Sequence, residues 1–271
     1  MRSVRERLWI WGHEAGAHNG HWGLEGQSRM TPAEGAAYLG VPNLIMVRFD
    51  GQPATSLAQY HLPFLPLQRV VWSVVNDGKP AADDKQSHLD AVLRLAERFP
   101  NITGLIIDDY FLNTPMPDGA ISQCSLPGLE LFRRRLHAMA RSLDLWMVLY
   151  DIDLHRFTPE QIRQHAEPFD VISFWTWEAA NLAHLEDNLA AAEALAPGKP
   201  IVLGCYMYDY GARKPLPVEL MAAQCHQGLA WLRSGRIAGM IFLASCICDL
   251  ELPAVEYTRQ WIAEVGDQPV G

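Results

Sequence analysis

The chain of 271 residues has no run of about 18 apolar residues, so no segment reads as a membrane span. Its opening, MRSVRERLWIWG, holds no apolar stretch of the length a secretory leader needs. Basic blocks are missing as well. Lys and Arg number 22 against 31 Asp and Glu, for a net charge of −9, and such a surface repels phosphate backbones. Nucleic acid is therefore not an expected partner, and neither is a membrane. Cysteine is scarce and unpatterned. The five thiols (Cys124, Cys205, Cys225, Cys246, Cys248) lack C-x-x-C spacing, and Cys246 and Cys248 stand too close to pair within a strand. Reduced thiols and a cytoplasmic location are the expectation. No linker, low-complexity tract or shift in composition divides the chain, so residues 1–271 are expected to form one catalytic domain. Nothing in the sequence sets an oligomeric state.

What is present is a long alternation. Short apolar runs are read as strands: RLWIWG (7–12), NLIMVRF (43–49), RVVWSVV (69–75) and TGLIID (103–108). DLWMVLYD (144–151), DVISFWTW (170–177), PIVLGCYMY (200–208) and AGMIFLAS (238–245) continue the series. Each is nearly continuously hydrophobic, as parallel strands buried on both faces must be. Helical patterns separate them. TPAEGAAYLG (31–40) and TPEQIRQHA (158–166) open with Thr, then Pro, then Glu34 or Gln161 three residues after the Thr, which predicts a capping box. Five more amphipathic segments lie at 83–99, 126–143, 181–196, 216–235 and 252–266. Between strands two and three, Pro63 and Pro66 allow at most a short helix. Eight β-then-α units predict a single (β/α)8 TIM barrel, with an open doubly wound sheet as the alternative.

In such a barrel, chemistry sits at the C-terminal ends of the strands. Strand one leads to Trp11, His13, Glu14, His18, His21 and Trp22; strand two to Arg48 and Asp50; strand three to Trp72, Asn76 and Asp77. Strand four ends in GLIIDDYF, which delivers Asp108, Asp109 and Tyr110. Strand five gives Tyr150, Asp151 and Asp153, and strand six Trp175, Trp177 and Glu178. Strand seven gives Tyr206, Tyr208, Asp209 and Tyr210, and strand eight Ser245 and Asp249. Strand-end aromatics also cap cores, and a strand-end Asp also caps helices. Acids and flat rings recurring around one rim instead suit a carbohydrate, whose C–H faces stack on rings while its hydroxyls meet polar groups.

Glycosidic bond cleavage needs one carboxyl group as proton donor and another as nucleophile or base. Alternation along a strand puts only one of Asp108 and Asp109 into the barrel mouth, and Asp108 is the one expected there. Asp108 is the expected nucleophile or base and Glu178 the expected acid. Asp109 is either an auxiliary catalytic group or a structural cap. Asp209, Asp151 and Glu14 are the substitutes. The expected substrate-binding set adds Trp11, His13, Arg48, Asp50, Trp72, Tyr110, Tyr150, Trp175, Trp177, Tyr206 and Tyr208.

Acids at the ends of strands four and six resemble barrel glycosidases of the α-galactosidase clan, in which a strand-four Asp is the nucleophile. Clustered acids after strand four are similar to the chitinase-like barrels. The resemblance covers the barrel and the placement of acids rather than a motif. The D-x-x-D-x-D-x-E run of the chitinase-like enzymes is absent, and Ile106 stands where the other clan has Lys. It implies a TIM-barrel glycoside hydrolase working on a carbohydrate without cofactor.

Two other readings remain at this stage: a metal-dependent sugar isomerase, epimerase or lyase, and a barrel that binds carbohydrate without catalysis. GHEAGAHNGHWG (12–23) carries His13, Glu14, His18 and His21, but it does not match H-E-x-x-H, so no metal is expected.

Overall fold

The computed structural model describes residues 2–53, 57–76, 84–116 and 119–270. Eight parallel strands close into a barrel: β1 (Leu8–Gly12), β2 (Asn43–Arg48), β3 (Arg69–Asn76), β4 (Ile102–Ile107), β5 (Asp144–Tyr150), β6 (Val171–Trp175), β7 (Ile201–Tyr206) and β8 (Gly239–Leu243). Each pairs with its sequence neighbour, and β8 closes on β1 through Leu8 opposite Met240 and Trp11 opposite Leu243. The expected (β/α)8 barrel is therefore the observed one. Every strand start falls within a few residues of its apolar run, because burial on both faces writes the whole strand in hydrophobic letters.

Helices follow on the outside: α1 (Pro32–Leu39), α2 (Leu57–His61), α3 (Asp84–Arg98), α4 (Leu126–His137), α5 (Asp153–Arg156), α6 (Pro159–Ala166), α7 (Leu185–Leu195), α8 (Val218–Ser234) and α9 (Pro253–Val265). Thr31 with Glu34 and Thr158 with Gln161 form both capping boxes, each satisfying backbone donors that would otherwise be orphaned. α4 stops at His137, short of the expected residue 143, because Leu143 turns back into the core, its N–H on the Leu136 carbonyl. None of the described helices is long and apolar enough to cross a membrane.

The barrel interior is filled by tryptophans. Trp9 meets Trp146 edge-to-face at 5.2 Å, and Trp11 meets Trp175 at 5.1 Å, each pair reaching across the barrel. Such pairs add about 0.5–1.5 kcal/mol beyond the area they bury. Room for the rings comes from glycine. A Cβ on Gly204 would lie 2.0 Å from Trp175 Cδ2, and one on Gly104 3.0 Å from Trp146 Nε1. Below them Arg69 covers Trp9 at 4.5 Å and donates to Asn43 Oδ1, closing the N-terminal end. The chain termini meet at Arg2–Ser3 and Pro269–Val270, which pair as a small antiparallel ladder.

Candidate active site

At the C-terminal mouth of the barrel lies a cavity of about 270 Å³. Trp11, Tyr150, Trp175, Tyr206 and Leu243 reach it from strand ends, and the loops after β1, β2, β4, β5, β6 and β7 supply the remaining walls. Its acids are Asp108, Asp109 and Asp153, and its cation is Arg156. Three carboxylates against one guanidinium disfavour an anionic ligand.

The acid pair is set by local backbone. β4 ends at Ile107, so strand alternation no longer governs Asp109. Asp108 continues the inward face of Gly104 and Ile106, as expected. Asp109 has φ +44°, in the left-handed region, which turns its side chain to the same cavity. This corrects the expectation that only one of the two acids enters the mouth. Asp108 Oδ1 accepts from the Asp109 N–H at 2.9 Å. Gln123 Nε2 donates to both backbone carbonyls, at 2.9 and 3.0 Å, and holds the turn at Asp109.

Tyr150 donates its hydroxyl to Asp109 Oδ1 at 2.8 Å, and Tyr206 is hydrogen-bonded to Tyr150 in turn. Burial, and secondarily the nearby aspartates, hold both phenols well above their ordinary range, so both stay protonated. Asp153 is pushed up to about 6, chiefly by burial, although the Tyr150 N–H and Arg156 both favour its charge. Arg156 spans two loops, donating to the Leu112 and Asn113 carbonyls from β4's exit while facing Asp153 from β5's. An arc of rings completes the wall: Trp175 contacts Tyr206, which contacts Trp177 and Tyr210, and Tyr210 contacts Trp22.

Of the residues expected from sequence, the cavity gathers Trp11, His13, Asp108, Asp109, Tyr150, Trp175, Trp177 and Tyr206. The others lie elsewhere, each for a local reason. Glu178 is exposed and outside the cavity walls, because Trp177 takes the inward position and the next residue turns to the surface. Trp72 is on the outer face of β3, where its indole donates to His61 Nδ1. Tyr110 also points outward, packed against Phe169 and bonded to His165. Asp151 ties the loop after β6, accepting from the Trp177 N–H and from Asn181 Nδ2, both at 2.9 Å. Asp209 accepts from the Ala212 N–H within a turn, and Tyr208 donates to the Trp22 carbonyl, so both shape the rim. Glu14 faces a separate groove of about 430 Å³ beside α1 and α2, where Tyr60 bonds it. Asp50 stands on an outer rim hollow with Gln52, and Arg48 is outside the walls of these cavities. Asp77 lies outside the described residues, and Asn76 is described only in its backbone.

Residues outside the expected set also line the cavity. His18, Trp22, Asp153 and Tyr210 stand at the strand exits noted above, whereas Phe49, Phe111 and Asn113 carried no signal. For Arg156 a signal existed: D-x-x-R (153–156) is an ion-pair spacing on a helix.

No protein-family model matches the chain, and no curated protein sequence matches it. Solved structures do match, in fold. The catalytic domain of a chitinase from Pyrococcus furiosus is 12% identical, covering 90% of this chain and 85% of that one, with a TM-score of 0.55. A Group IV chitinase from Ostrinia furnacalis is 11% identical, covering 95% and 100%, with a TM-score of 0.59. A tryptophan synthase from M. tuberculosis is 14% identical, covering 97% and 94%, with a TM-score of 0.50. The resemblance to TIM-barrel glycoside hydrolases holds at the level of the barrel. The same barrel carries unrelated chemistry, so function is argued from the site.

Proposed function

We propose that this protein is a glycoside hydrolase that cleaves a glycosidic bond in a neutral oligo- or polysaccharide. The observation that carries the reading is the convergence of Asp108 and Asp109 on one ring-lined, acid-rich cavity at the barrel mouth. Two adjacent carboxylates resist joint ionisation, and in this reading the pair shares one proton and one charge. Donation from Tyr150 favours the charge on Asp109, which then faces the positive charge that develops at the anomeric carbon. Asp108 supplies the proton to the leaving oxygen as the glycosidic C–O bond breaks, and water then adds at the anomeric carbon and returns a proton to Asp108. This exchanges the part expected for Asp108 and removes Glu178 from the chemistry.

The likeness to two chitinases agrees with this reading at the level of fold. The cavity, about 270 Å³, falls just below the roughly 300–1,000 Å³ of typical ligand pockets. It suits one sugar ring held between Trp175, Trp177 and Trp22, so attack at a chain end is favoured over attack within a chain.

The test is release of reducing ends from a panel of polysaccharides, alongside chromogenic monosaccharide glycosides. Turnover of a glycoside by wild type, abolished in Asp108→Asn, is the expected result. Ligand binding by the wild type with no turnover of any panel member overturns the proposal.

A further inference from the structure

We propose that His13, His18 and Cys246 form a binding site for one zinc-class divalent ion at the edge of the cavity. The inference does not depend on the glycosidase reading.

The two imidazoles come from the loop after β1, and the thiol from the turn after β8. One ligand atom from each lies within 4.8 Å of the other two, and all three residues are buried. Around a tetrahedral ion with bonds of about 2.0–2.3 Å, ligand atoms stand about 3.3–3.7 Å apart, so only a small contraction is needed.

A second observation points to the same ligand. His13 Nδ1 is fully enclosed and has no hydrogen-bond partner. An orphaned buried nitrogen costs about 1–3 kcal/mol, a cost that a bound cation removes. Its ring lies 4.6 Å from that of His18. His18 is itself held through Nδ1 by the Tyr210 hydroxyl at 3.0 Å, and an imidazole fixed through one nitrogen presents the other to a metal. Burial pushes the Cys246 thiol up to about 12 despite the His18 backbone N–H directed at its sulfur, so a bound ion must displace the thiol proton.

The donor set selects the metal. Two imidazoles and a thiolate suit Zn²⁺, whereas Mg²⁺ and Ca²⁺ require oxygen ligands. Three protein ligands leave one position for water or a ligand oxygen, and His13 and His18 both belong to the cavity wall. The ion would also tie the loop that carries Trp22 to the end of β8.

Metal-stripped, reduced full-length protein titrated with Co²⁺ alone tests this, because cobalt bound to thiolate gives a near-ultraviolet charge-transfer band. The expected result is a band that saturates at one equivalent, is displaced by Zn²⁺ and is unaffected by Mg²⁺. Cys246→Ser should abolish the band, while Cys248→Ser, a neighbouring buried thiol, should keep it. Tyr210→Phe should keep the stoichiometry and weaken binding about 10–100-fold, as losses of outer hydrogen bonds do, which keeps the test decisive if Cys246→Ser does not fold. Absence of a saturable band in the wild type, or an undiminished band in folded Cys246→Ser, overturns the site.

Discussion

The Tyr150 hydroxyl rests on Asp109 Oδ1 at 2.8 Å, joining the end of β5 to the acid pair that follows β4. Because burial keeps the phenol protonated, this bond favours a charged Asp109 wherever the site operates. A hydrogen bond to a charged group contributes about 1.5–3 kcal/mol. Tyr150→Phe should therefore lower kcat about 10–100-fold with little change in KM. Steady-state kinetics on the best substrate provide the check, and an unchanged kcat would remove Tyr150 from the mechanism.

Glu178→Gln makes the opposite prediction. The side chain is exposed and outside the cavity walls, so kcat/KM should stay within about twofold of wild type, the range of a neutral surface change. Trp177→Ala, one residue earlier, removes a ring from the cavity wall. It should raise KM about tenfold, the equivalent of about 1.4 kcal/mol of lost stacking. The contrast between neighbours is the readout.

Gly204→Ala tests the packing that shapes the mouth. Its new methyl would fall 2.0 Å from the Trp175 indole, so either ring or strand must shift. Destabilisation of about 1–3 kcal/mol or more is expected, measured as a lower urea midpoint with an unchanged slope.

Asp153 gives a pH signature. Its folded pKa, about 6, lies above the ordinary carboxylate value of 3.8. Between those values the unfolded chain loses its proton first, so the group lowers stability as pH rises from about 4 to about 6. The effect is level beyond that, at an upper bound of about 3 kcal/mol. Asp153→Asn should flatten the fall in that window. Chemical denaturation at several pH values measures it, and an unchanged pH profile would place the carboxyl in an ordinary environment.

How much of this was legible follows from which rule governs each position. The strands were readable because burial on both faces leaves little room for polar letters, as in β4's ITGLII and β6's VISFW. Both capping boxes were readable because the motif is local. Trp72 was misplaced by a single step of parity: Ser73 and Val71 flank it, and a composition reading does not choose the face. Asp109 escaped the alternation argument because β4 stops one residue earlier, a boundary that apolar pattern alone does not locate. Arg156 reaches the Leu112 carbonyl through loop closure and Cys246 reaches His13 and His18 through barrel closure, which no spacing in the chain records.

The central claim is that Asp108 and Asp109 act together on a sugar ring, and single-turnover rates on the best glycoside test it most directly. Asp108→Asn and Asp109→Asn should each reduce the rate about 10²–10⁴-fold while ligand affinity and thermal stability stay near wild type. Full rate in either folded variant would contradict the account.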